Sequence, residues 1–305
     1  MIVSLIGPTA AGKTEQALQL AEALAGRGQP AEIVNADSML VYRGMDIGTA
    51  KPSLAERARV PHHLIDILDV TETASVAEFQ TLARAAIQDC QARGVIPLLV
   101  GGSALYVRAI LDRFEFPGTD PAIRAKYEAQ LAELGAAALH QRLTAIAPHV
   151  AKDILPQNGR RIVRALEVIE LTGDFRPVIG EPEYFFDGVV QLGLALERPE
   201  MDRRIAARVE RMWEQGFVAE VEQLLQAGLR EGKTAPYAIG YHQIISYLDG
   251  QCSAQKARED TVVRTRQFSR KQLSWFRRDT RIQWFDAVSL GGASHLLAAL
   301  EAEQS

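Results

Sequence analysis

Short apolar runs and helical periodicities alternate along most of the chain. Met1 to Ile6 is an apolar run of strand length, followed after eight residues by Glu15 to Leu24, rich in helix formers. Ala31 to Ala36, Val95 to Val100 and Val189 to Leu196 repeat the short run, and Leu64 to Ile67 is a weaker strand candidate. Between them, Phe79, Leu82, Ala86, Ile87 and Cys90 recur at helical spacing over 76–93. Ile205, Val209, Met212, Val218, Val221, Leu224 and Leu225 do so over 201–229, with a break at Gly216. A long helix is predicted from Ser253 to about Trp275. Buried strands alternating with amphipathic helices predict an α/β fold with a parallel sheet. Two stretches lack a period: 38–63 reads as an active-site loop region, and Pro236 to His242 as a turn. From about 122 to 172 the pattern is helical throughout, in segments Ile123–Leu134, Ala136–Ile146 and Asn158–Leu171. The predicted organisation is a core of 1–114 and 188–305 with a helical insertion over 115–187.

The first strand ends in Gly7-Pro8-Thr9-Ala10-Ala11-Gly12-Lys13-Thr14. Strand, G-x-x-x-x-G-K-T, helix is the P-loop in its required context, that of nucleotide-binding and ATP-binding proteins. Backbone N–H groups and a helix N-terminus cradle an anion there. Lys13 supplies a point charge to phosphate, and the Thr14 hydroxyl is a ligand for Mg2+. The motif specifies a held diphosphate or polyphosphate and leaves the reaction open. Asp37 ends the second strand, either as a helix cap or as a group on the same crevice, since ligands of parallel sheets sit beyond the strands' carboxyl ends. The strand ending at Val100 closes on Gly101-Gly102-Ser103. A kinase would more usually carry a magnesium-binding acid there. Asp66 is the other acidic strand-end candidate, and His62-His63 without a third ligand reads as structural.

Charge changes the picture at the C-terminal end. The chain has a formal net charge of −4, which argues against non-specific coating of nucleic acid. Yet Lys256 to Arg281 holds nine Lys or Arg against three acids, with Trp275 and Phe276 among them. Basic residues interleaved with aromatics suit RNA, whose phosphates meet charges and whose unpaired bases stack on rings. A solvated basic helix face is the alternative. Hydrophobic residues at 47% and charged residues at 24% describe an ordinary globular protein, and no apolar run approaches the roughly 20 residues of a membrane span. Met1 leads directly into the first strand, which predicts no signal peptide. Cys90 and Cys252 stand apart, as expected in a reducing cytoplasm.

These pieces resemble, in order, the tRNA dimethylallyltransferases. The resemblance is carried by residues 7–14, Asn-Ala-Asp-Ser-Met-Leu-Val-Tyr (35–42), Asp-Ile-Gly-Thr-Ala-Lys-Pro (46–52) and His-His-Leu-Ile-Asp-Ile (62–67). It continues through Val-Gly-Gly-Ser-Ala-Leu-Tyr (100–106), Arg-Arg-Ile-Val-Arg-Ala-Leu-Glu (160–167), Ala-Ile-Gly-Tyr (238–241) and residues 265–277. It implies transfer of a dimethylallyl group from dimethylallyl diphosphate to the 6-amino group of the adenosine 3′ of the anticodon. The P-loop would hold the donor's diphosphate with Lys13, Thr14 and Mg2+. Asp37 would be the general base, Ser103 a hydroxyl donor in place of the usual threonine, and Arg208 a diphosphate contact. Expected contacts to the anticodon stem-loop are Asp37, Ser38, Met39, Leu40, Ser103, Arg124, Arg160, Arg161, Arg164, Tyr237, Gly240, Tyr241, His242, Arg270, Lys271, Gln272, Trp275 and Arg277. A soluble monomer is expected. Two departures stand out: Leu40 replaces the common glutamine, and Asn158-Gly159 replaces Asn-Asp. The rivals are a small-molecule kinase, which accounts equally for residues 1–37, and an RNA-binding protein with an idle P-loop. Neither accounts for both ends of the chain.

Overall fold

The computed structural model describes residues 1–113, 116–173, 175 and 181–304. Six strands form one all-parallel sheet in the order β3-β2-β4-β1-β5-β6. In chain order the first part runs β1 (Ile2–Ile6), α1 (Lys13–Ala25), β2 (Ala31–Asn35), α2 (Leu54–Arg59), β3 (His62–His63), α3 (Val76–Ala92), β4 (Ile96–Gly101) and α4 (Ala104–Leu111). The insertion carries α5 (Pro121–Ile146), α6 (Pro148–Ala151) and α7 (Gly159–Thr172). The chain then continues with β5 (Val189–Ala195), α8 (Arg198–Glu214), α9 (Phe217–Gln226), α10 (Tyr241–Leu248), α11 (Ala254–Phe276), β6 (Ile282–Asp286) and α12 (Ser294–Gln304).

Residues of β1 alternate between two cores. Ile2 and Ile6 pack into one with α3, α4, α9 and α10, while Val3 and Leu5 pack into the other with α1 and α12. A strand covered on both faces has no polar side, which is why it reads as a continuous apolar run. The chain divides into two compact units, Met1–Arg113 with Glu183–Ser305, and Phe114–Pro182. The expected boundary near 114–115 falls on residues outside those described. The return comes at 183 rather than 188, because Arg113 N–H donates to Glu183 O and Phe185 N–H to Leu111 O, both at 2.7 Å. The stretch 173–188 lies only partly within the described residues.

Several elements differ from expectation. Residues 38–63 include a short helix, α2, held by a Ser53/Glu56 capping box. The strand expected at 64–67 is instead β3, two residues earlier, and Leu64 and Asp66 take positive φ of 63° and 57°. The turn at 236–242 leads directly into α10, and the periodicity gives no sign of β6, α4, α6 or α12. Within the insertion, Gly135 at φ 80° divides α5 as the two predicted helices require. A Cβ on Gly159 would lie 2.7 Å from Leu131 Cδ1, so the departure at this position lets α7 press onto α5. Asn158 still caps α7, its Oδ1 accepting from Arg161 N–H at 3.3 Å.

Candidate active site and basic helix

The order of the strands builds the site. β2, β4 and β1 are consecutive in the sheet, and their carboxyl ends carry Asp37, Ser103 and the P-loop. Asn35 is in register with Val100, and Ile6 with Gly101, so the three chains leave the sheet at one level. Neighbouring strands lie about 4.8 Å apart. The close approach needs glycine: a Cβ on Gly101 would sit 2.4 Å from Ala36 O, and one on Gly7 2.6 Å from Leu194 O. In the loop, Ala10 and Gly12 have φ of 68° and 86°, turning successive N–H groups toward one concavity.

Asp37 is held by an Asx turn. Its Oδ1 accepts from Met39 N–H at 2.9 Å, while Asn35 fixes the Asp37 backbone through both ends of its amide. No helix follows, so the cap-like bond orients the carboxylate rather than starting an element. Lys13 Nζ donates to Gly7 O at 3.0 Å and Pro8 O at 2.9 Å, which leaves its third proton for a ligand. Burial pushes the Lys13 pKa down to about 8; nearby Asp37 opposes this and Arg208 adds to it. Burial likewise lowers the Arg208 pKa, against Asp37 and with Arg211. Asp37, Lys13 and Arg208 are thus electrostatic neighbours. Ser103 starts α4 without a cap hydrogen bond from its hydroxyl.

A cavity of ≈ 820 Å³ adjoins the P-loop, with Lys13, Thr14, Arg204, Arg208 and Arg211 in its walls. Asp37 and Ser103 are not among its walls. Arg204 and Arg211 were missed in the sequence, although their i, i+4, i+7 spacing with Arg208 marks one cationic face of α8. The opposite wall, residues 46–53, is fixed by groups that were also missed. Glu220 accepts from the N–H groups of Asp46, Ile47 and Gly48 and from Tyr241 Oη at 2.6 Å. Lys51, its side chain 1% exposed, donates to Tyr42 O and ion-pairs with Asp46 and Asp66. Arg208 Nη2 donates to Thr49 O at 3.2 Å.

The expected RNA contacts separate into two groups. Arg160, Arg161, Tyr237, His242, Lys271, Trp275 and Arg277 are exposed. Ser38, Met39, Leu40, Ser103 and Arg270 are partly exposed. Among the described residues no ion pair engages Arg270, Lys271 or Arg277, and Arg278 stacks on Trp275. Others are committed inside the protein. Tyr241 is fully buried on Glu220, and buried Gly240 presses against Phe217. Arg124 and Arg164 share the buried carboxylate of Glu167. Burial would raise the Glu167 pKa, but the two guanidiniums bring it below the usual range. Gln272 is buried and both ends of its amide are used. Asp66, the acidic metal candidate, is spent on Lys51 and Arg57. His63 joins Glu32 and Cys90 in a cluster, where Arg93 grips both Glu32 oxygens at 2.7 Å; a guanidinium in that position opposes a second cation, so the cluster is a charge-paired tie.

The IPP transferase family model matches residues 40–279, spanning the loop wall, the Gly-Gly-Ser turn, α8 and the basic helix. This chain is an IPP transferase family member. It is 55% identical over 302 residues to the tRNA dimethylallyltransferase of Salinispora arenicola, covering 99% of this chain and 86% of that one. With the Nocardioides tRNA dimethylallyltransferase it shares 57% over 284 residues, 93% of this chain and 90% of the relative. Its fold matches the full-length tRNA isopentenylpyrophosphate transferase of Bacillus halodurans at a TM-score of 0.70 and 38% identity, over 99% and 97% of the two chains. A eukaryotic dimethylallyltransferase acting on tRNA matches at 0.83 and 25%, over 99% and 79%. Among the described residues of this IPP transferase, no helix is long and apolar enough to cross a membrane.

Proposed function

We propose that this chain transfers a dimethylallyl group from dimethylallyl diphosphate to the exocyclic N6 of the adenosine 3′-adjacent to the anticodon in tRNA. The single observation that carries the reading is the convergence of Asp37, the P-loop with Lys13, and Ser103 on adjacent strand ends. A carboxylate beside a diphosphate cradle is what alkylation of a weakly nucleophilic amine needs. Asp37 takes a proton from N6 as nitrogen bonds to the allylic carbon. The carbon–oxygen bond breaks, and the diphosphate leaves with its growing charge met by loop N–H groups, Lys13 and Arg208. The target adenine must leave its stack to reach this depth. Thr14 lines the cavity, and among the described residues its hydroxyl carries no hydrogen bond to the protein, which fits a ligand to Mg2+ on the diphosphate. That ion would neutralise charge on the leaving group. In this reading the protein works in the cytoplasm as a monomer.

Dimethylallyl diphosphate should raise the melting temperature more than ATP at equal concentration, as binding to the native state alone requires. A label on the dimethylallyl group should appear in tRNA. Stabilisation by ATP alone, with phosphate passed to a small molecule, would sink the proposal.

The basic face of α11 carries the RNA side of the reading. Replacing Arg270 and Lys271 by Ala should weaken tRNA binding and flatten its salt dependence, by roughly 0.7 of a log–log slope unit for each phosphate that is no longer neutralised. Affinity measured at several salt concentrations tests this, and an unchanged slope would make the face merely solvated.

A further inference from the structure

α11 carries the exposed basic face and also reaches the P-loop from its buried side, through Gln272. Gln272 Oε1 accepts from Thr9 N–H at 3.0 Å and from Thr9 Oγ1 at 3.2 Å. Its Nε2 donates to Gly102 O at 2.7 Å. Gln272 is 6% exposed, and its side chain runs between two loops that leave adjacent strands. One loop holds the diphosphate cradle, and the other carries Ser103. The fit is close: a Cβ on Gly102 would lie 2.5 Å from Gln272 Nε2 and 3.2 Å from Gly7 O.

We infer that Gln272 is a positioning residue for the transfer reaction, fixing the P-loop against the Gly102-Ser103 turn and holding both to the helix that docks tRNA. The inference rests on the function proposed above. Three facts support a role beyond packing. The amide uses its acceptor and its donor in opposite directions, so it sets a spacing rather than filling a space. The Thr9 N–H, at the start of the anion loop, is assigned to Gln272 and the Ala11 N–H to Pro8 O, so the tie fixes which loop N–H groups face the cradle. Gln272 also neighbours Lys271 and Arg270 in sequence while facing inward, so one helical turn has an RNA side and a donor side.

The test compares three forms of the full chain. Gln272→Leu keeps approximate volume and loses both hydrogen bonds. Its donor affinity and single-turnover transfer rate should each fall about tenfold or more, since buried partners on Thr9 and Gly102 are left unpaired. Its tRNA affinity should stay within about twofold of the parent, because the amide meets no solvent. Gln272→Glu can accept from Thr9, but its carboxylate repels Gly102 O until protonated. Its donor affinity relative to the parent should therefore recover as pH falls, a signature that a space-filling role would not give. Equal donor affinity and rate for parent and Gln272→Leu would overturn the inference. So would a matching loss of tRNA affinity, which would make Gln272 an RNA contact. If Gln272→Leu does not fold, a pH-independent affinity ratio for Gln272→Glu would overturn it instead. A parent protein that transfers no dimethylallyl group would reject the underlying function and is seen separately from either result.

Discussion

Asp37→Asn should slow single-turnover transfer of the dimethylallyl group to tRNA by about 10²–10⁴, the usual cost of removing a general base. Asparagine keeps the shape of the side chain, and its Oδ1 still accepts from Met39 N–H, as the Asp37 carboxylate does at 2.9 Å. The Asn35 bonds that fix the residue act on the Asp37 backbone and are unaffected. Donor and tRNA affinities should therefore remain near the parent values while the proton has nowhere to go. Binding and rate must be measured separately. A parent-like rate would reduce Asp37 to a turn former and leave the base elsewhere.

Lys13→Ala should lower donor affinity and transfer together, by about 10²–10³ in rate, as for loss of one preorganised donor to a developing anion. tRNA affinity should hardly change. The same residue gives a pH signature. The Lys13 pKa lies at about 8 against the ordinary 10.5, so its ammonium is lost as pH rises through about 8. Donor affinity of the parent should then fall, by up to about tenfold per pH unit, while Lys13→Ala shows no such limb. Folding has the opposite sign. Between about 8 and 10.5 the unfolded lysine holds a proton that the folded one has released, so the cost of burying Lys13 is relieved and stability rises with pH through that window. Donor titrations at pH 7 to 10 decide the matter, and equal pH profiles for parent and variant would remove Lys13 from the diphosphate contact.

The parts of this site legible in the sequence are those whose chemistry is local. A P-loop declares itself through glycines, a lysine and a hydroxyl within eight residues. Asp37 follows from its place at a strand end, and Arg208 from resemblance. What sequence could not reveal depends on partners far away in the chain. Nothing near Gln272 says that it ends on Thr9, 263 residues earlier. Glu220 reads as one more acid on an amphipathic helix, yet it satisfies three loop N–H groups. Tyr241 and Gly240 belong to a recognisable motif, but the motif holds the loop wall from inside rather than facing solvent. The elements follow the same rule. β1 and β4 are covered on both faces and read clearly. α4 is only eight residues long and mostly apolar, with Tyr106, Val107, Ala109, Ile110 and Leu111 buried, so it merges with the apolar strand before it. β3 has two residues, too few for a pattern. α2 lies within the stretch that reads as a loop; Ser53-x-x-Glu56 is its one local signal, and the surrounding polarity obscures it.

The helical insertion leaves and rejoins the core through one doorway, with Arg113 bonded to Glu183 and Phe185 to Leu111. The excursion therefore closes as a loop whose ends the core already pins together. Loop-closure cost grows only with the logarithm of length, about 0.6 kcal/mol for each doubling. Lengthening or trimming the excursion should therefore cost the sheet little. The core's own backbone bonds thus hold the ends of the excursion in place, whatever its length.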